Sequence, residues 1–117
     1  MKSKPHSNPD ASVVKSLMEL NEKKDFNNLE KRIDEQLSLF PNSSLLHNLK
    51  GTALSNLNRL EEGIDSFNLA LDNAENPEII FNNLGVTQIK LNRSEESIKS
   101  FNHAIESNPK YYQAHFN

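Results

Sequence analysis

The feature that most constrains this chain is that it repeats itself. Residues 44–77 laid over residues 78–111, an offset of 34 with no gap, agree at twelve positions. Ten of these fall between Leu57 and Ala70. Leu57-Asn58-Arg59, Glu61-Glu62, Ile64, Ser66-Phe67-Asn68 and Ala70 return as Leu91-Asn92-Arg93, Glu95-Glu96, Ile98, Ser100-Phe101-Asn102 and Ala104. Unrelated segments of ordinary composition would share about two. A duplicated unit of this length is too small to bury its own apolar face, so the fold must be a stack of such units.

Each copy reads as two helices. In the first, Leu45, Leu46, Leu49, Ala53 and Leu57 recur at helical spacing, followed by Leu60, Ile64, Phe67 and Leu71. The second has Ile80, Leu84 and Leu91, then Ile98, Phe101 and Ile105. Asn42 or Ser43 can cap one helix, and Asn76-Pro77-Glu78 offers a cap, a first-turn proline and an early acid. Asn58 and Asn92 stand where the chain must reverse, and asparagine tolerates the left-handed conformation such a reversal needs. Gly51 and Gly85 would let one helix approach its partner closely, with Ala70 and Ala104 serving the contact from the other side.

Period and pattern together resemble the tetratricopeptide repeat. Its Leu-Gly pair, bulky residues, small residues, aromatic and closing proline are matched by Phe81, Leu84-Gly85, Phe101, Ala104 and Pro109, and in the preceding copy by Gly51, Leu54, Gly63, Phe67 and Ala70. Lys50, Gln88, Ser97 and Glu75 depart from the pattern. A further step back gives a degenerate repeat over residues 10–43, in which Val13, Leu20, Leu29, Ile33 and Pro41 match but Leu17 replaces the glycine and Gln36 the alanine. Residues 112–117 look like the opening of a fourth repeat, and residues 1–9 like a flexible leader. The resemblance implies an all-α solenoid of antiparallel helix pairs wound as a right-handed superhelix.

Composition narrows the function. A net charge of −3 and interleaved lysines and acids give no basic field for nucleic acid. The longest apolar runs, such as Ile79-Ile80-Phe81, are too short for a bilayer span, and the leader lacks the apolar segment of a secretory signal. The expected location is therefore cytoplasmic. With no cysteine there are no disulfides or thiolate sites. His6, His47, His103 and His115 fall in no metal-ligand spacing, the glycines at 51, 63 and 85 form no phosphate loop, and no serine lies in a nucleophile elbow. The chain is expected to be no enzyme and to need no cofactor or metal.

What remains is a surface. The resemblance places the first helix of each pair on a concave face, carrying Ala11, Val14, Lys15, Met18, Asn21 and Glu22, then Leu45, Asn48, Leu49, Thr52, Ser55 and Asn56, then Ile79, Asn82, Asn83, Val86, Ile89 and Lys90. The clamp by which some members of the family hold a carboxylate is absent, because its basic and amide positions hold Val14, Met18, Leu49, Ile79 and Asn83. An asparagine ladder, as in repeats resembling those of O-linked N-acetylglucosamine transferases, is half present, with Lys15, Leu49, Asn83 and Asn117 in its places. The expected function is a protein–protein interaction scaffold that takes an extended peptide or a partner helix in this groove. Asn48, Asn82, Asn83, Lys90 and Asn117 are the candidate peptide-binding residues, since a carboxamide both donates and accepts. Two alternatives are the N-terminal repeat region of a larger glycosyltransferase- or sulfotransferase-like enzyme, and a self-assembly module forming a homodimer through its C-terminal end.

Overall fold

The structure is a computed structural model that describes residues 7–110. It contains six helices: α1 (Ala11–Glu22), α2 (Phe26–Leu37), α3 (Ser44–Asn56), α4 (Leu60–Leu71), α5 (Pro77–Lys90) and α6 (Ser94–Ser107). No strand occurs among the described residues. Consecutive helices pair as α1–α2, α3–α4 and α5–α6, and the second helix of each pair also packs on the first helix of the next. The result is the expected all-α helical repeat, elongated to 41 × 28 × 24 Å. The candidate partial repeat at 112–117 lies outside the described residues, as do residues 1–6 of the leader.

Local chemistry sets the element ends. Ser43 caps α3 by accepting a hydrogen bond from the Leu46 N–H at 3.2 Å, and Asp10 does the same for α1 through Val13. Pro77 occupies the first turn of α5. The reversals within the pairs share one geometry. Lys24, Asn58 and Asn92 have φ of 60°, 64° and 60°, and the next residue in each case donates its N–H to a carbonyl five residues back: Asp25 to Leu20, Arg59 to Leu54 and Arg93 to Gln88. These bonds satisfy the orphan carbonyls of the helix end.

Two buried clusters fill the stack. Leu17, Leu29, Ile33, Leu46, Leu49 and Ala53 form the first, and Ile64, Phe67, Ala70, Ile80 and Leu84 the second. The close approach expected of the glycines is present. A Cβ on Gly51 would lie 2.6 Å from Phe67 Cδ1, and one on Gly85 would lie 2.9 Å from Phe101 Cε1. Leu17, standing where the later repeats have glycine, is 1% exposed and fills the space instead.

Three of the four departures from the repeat pattern have partners. Buried Gln88 accepts a hydrogen bond from the Ser100 hydroxyl at 2.7 Å, and buried Ser97 donates to the Ser94 carbonyl at 3.0 Å. Lys50 reaches Asp34 of the preceding repeat at 2.7 Å. Glu75, the fourth, is exposed.

Between repeats, arginines act as clips. Arg59 forms a two-pronged bond with Glu62 at 2.7 and 2.9 Å and also reaches Glu30 at 2.7 Å, while Arg93 pairs with Glu61. The bond to Arg59 holds the Glu62 carboxyl below the ordinary carboxylate range. The repeated acids thus serve the first turns of α4 and α6 and, at Glu61 and Glu62, these clips.

Candidate binding crevice between α3 and α5

The floor of the crevice is built from small polar side chains. Ser55 on α3 and Thr87 on α5 are buried with their hydroxyl oxygens 3.0 Å apart. Thr87 donates to the Asn83 carbonyl at 3.0 Å, so its oxygen accepts the Ser55 proton. That pairing holds the two helices at close range. It also removes Ser55 from the open surface expected for it. Leu49, placed on the same surface by the sequence, is 7% exposed and belongs to the first core cluster.

Above this floor, Asn83 donates from Nδ2 to Asn48 Oδ1 at 3.1 Å. Both side chains are half-buried. The bond uses one N–H of Asn83 and part of the Asn48 carbonyl. It leaves the Asn48 amide with two N–H groups and the Asn83 amide with its carbonyl oxygen and a second N–H. The pair therefore retains both a donor and an acceptor.

A hollow lies on each side of the pair. The first, of about 310 Å³, has Leu45, Ile79 and Ile80 as its apolar part, with Ser44 and Asn48 beside them. Its rim is Asn73, Glu75 and Asn76 from the α4–α5 connection, together with Asn8. Asn8 is held there by accepting a hydrogen bond from the Ser43 hydroxyl, and Pro9 beside it is buried. The second hollow, of about 200 Å³, reaches down to Phe67 between Thr52, Ser55 and Asn56 of α3 and Asn83, Val86 and Thr87 of α5, and Lys90 closes it. Along α5 the apolar residues Ile79, Val86 and Ile89 stand 41%, 42% and 53% accessible.

Of the candidate residues, the fold brings Asn48, Asn83 and Lys90 into one crevice. Asn82 is half-buried on α5 and lines neither hollow, and Asn117 lies outside the described residues. The contributions of Asn8 and Glu75 were not visible in the sequence, because neither lies on a predicted helix of the groove. Asn56 turns its amide back onto the Thr52 carbonyl at 2.8 Å.

The two histidines among the described residues, His47 and His103, take packing and surface positions, while His6 and His115 lie outside them. His47 Nε2 donates to the Pro41 carbonyl at 2.8 Å, and the His103 ring lies 5.1 Å from that of Phe81. Among the described residues no group of three or more His, Asp or Glu is placed to hold a metal ion, and no helix is long and apolar enough to cross a membrane.

A family model for the tetratricopeptide repeat matches residues 46–77 and 80–111. No curated protein matches the chain.

Proposed function

The chain belongs to the tetratricopeptide repeat family, whose repeats generally mediate contacts between proteins, and from that premise we propose that it is a non-catalytic scaffold binding an extended peptide along the α3–α5 crevice. One arrangement carries the reading: two hollows in line, separated by an amide pair that still offers a donor and an acceptor. An extended peptide presents the complement, with a carbonyl and an N–H at each residue and side chains that alternate along its length. Asn48 and Asn83 meet the peptide backbone, and the hollows accept apolar side chains over Leu45, Ile79 and Val86. Selection of a displayed random-peptide library against the full chain tests this. Val86→Arg, which projects into the second hollow, should weaken the selected peptides at least tenfold, whereas Leu69→Arg on the exposed surface of α4 should not. Equal loss in both variants, or in neither, rejects the crevice as the binding surface.

A second reading rests on a separate observation. Ile98 and Ile105 on α6 are 59% and 42% exposed, while Ile64, the equivalent of Ile98 one repeat earlier, is 8% exposed beneath α5. Apolar surface of this kind tends to find a partner. A second copy packing end to end about a two-fold axis covers it and gives a closed dimer. Light scattering over a range of concentrations should show mass rising toward the dimer, and Ile98→Glu should hold the chain as a monomer. A monomer at every concentration rejects this reading.

A further inference from the structure

Each hollow of the crevice has one ionisable lining residue, and the two differ in sign. Glu75 stands at the rim of the first and Lys90 at the end of the second. Both are exposed, and neither forms an ion pair with another described residue. Everything lining the crevice between them is uncharged: amides, hydroxyls and apolar groups. The helix separating the two ends is α5, whose fourteen residues make it about 21 Å long. At about 3.3 Å per residue, six or seven extended residues cover that distance.

Resting on the peptide-binding reading above, we propose that the crevice selects a dipolar segment: a basic residue over Glu75, an acidic residue about six positions away against Lys90, and only uncharged residues between them. The uncharged middle adds to the selectivity of the ends. A charge placed over Asn48, Asn83 and Val86 would lose water and find no ion to replace it. The ends contribute modestly. Each is an exposed pair, and the α5 dipole, positive near Glu75 and negative near Lys90, offsets part of each charge. About threefold per matched end is expected at low salt, fading as salt rises.

The test uses three capped heptapeptides with the full chain, read by fluorescence anisotropy: Lys-Ser-Leu-Ser-Leu-Ser-Glu, whose alternation sets Lys, both Leu and Glu on one face, and its analogues with Glu at both ends or Lys at both ends. The unmodified chain should bind the Lys-to-Glu peptide about threefold more tightly than either analogue. Glu75→Lys should transfer the preference to the peptide with two Glu ends, and Lys90→Glu to the peptide with two Lys ends. Both substituted positions are exposed, so unchanged circular dichroism confirms that the fold is kept. If all three peptides bind alike to all three proteins and Val86→Arg abolishes that binding, dipolar selection is overturned and the peptide crevice stands. If no peptide binds, or Val86→Arg leaves their binding untouched, the crevice reading itself fails and this proposal with it.

Discussion

Gly51 lies directly against the ring of Phe67, so closely that a single added carbon would come within 2.6 Å of Cδ1 and within 2.9 Å of Cζ. Phe67 is 1% exposed and packs in one cluster with Ile64, Ala70, Ile80 and Leu84, so displacing its ring disturbs buried neighbours. Gly51→Val should therefore destabilise the chain by roughly 1–3 kcal/mol through overpacking. Gly85→Val should cost less, because its neighbour Phe101 is only half-buried and can shift toward solvent. Urea midpoints of the two variants decide; equal midpoints would show that ring mobility is not what sets the penalty.

The same asymmetry predicts the two truncations. Phe67→Ala should cost about 3–5 kcal/mol. Phe101→Ala should cost distinctly less, since a half-buried ring surrenders less contact and leaves no closed cavity. Thermal unfolding of both variants measures the difference, and a larger loss for Phe101→Ala would contradict the packing described for α6.

The hydroxyl pair under the crevice should behave as a coupled unit. Thr87→Val leaves the Ser55 hydroxyl buried without an acceptor and should cost about 1–3 kcal/mol. Adding Ser55→Ala removes the stranded group, so the double variant should be less destabilised than the sum of the singles. A double-mutant cycle with no coupling energy would mean that the two hydroxyls do not depend on one another.

Acid should weaken the fold through a definable set of carboxylates. The two-pronged bond to Arg59 lowers the Glu62 carboxyl, and the Ser12 hydroxyl bond lowers that of Asp10. A carboxyl whose pKa is depressed by folding contributes stability above its unfolded pKa, and that stability is lost as pH falls through the folded value. The window therefore lies below about pH 4, and above pH 5 neither group should change stability. Both carboxylates are exposed, so the effect is small and shrinks with salt. Glu62→Gln should flatten the slope of urea midpoint against pH in that window; an unchanged slope would assign the acid sensitivity elsewhere.

How much of this was legible depended on whether a feature recurs. The glycine–phenylalanine contact, the buried alanines and the left-handed Asn58 and Asn92 appear in both copies because each copy must solve the same steric problem. Lys24 adopts the same left-handed turn in the degenerate repeat, where lysine gives no conformational signal. Contacts between repeats were not legible. The bonds Asn83–Asn48, Ser55–Thr87 and Arg59–Glu30 join residues about 30 positions apart, and their existence depends on helix spacing and rotamer choice. The part of the candidate site on α3 and α5 was readable because the repeat resemblance marks the face of each first helix. Its rim was not, because Asn8 arrives from the segment before α1 and Glu75 from the α4–α5 connection.

Among the described residues the helices pack mainly on those near them in the chain, α1 with α2, α2 with α3 and onward, with α3 meeting α5 across the crevice. Such a molecule behaves mechanically as a spring of coupled links. Tension on its two ends loads every interface in series, so α1–α2, the most sparsely packed of the three pairs, should peel first while the segment from α3 to α6 remains wound. Because almost no contact bridges distant parts of the chain, refolding after release requires no long loop to close and should be rapid. The crevice lies in the links that would part last, so binding there is set to survive a pull that has already unravelled an end.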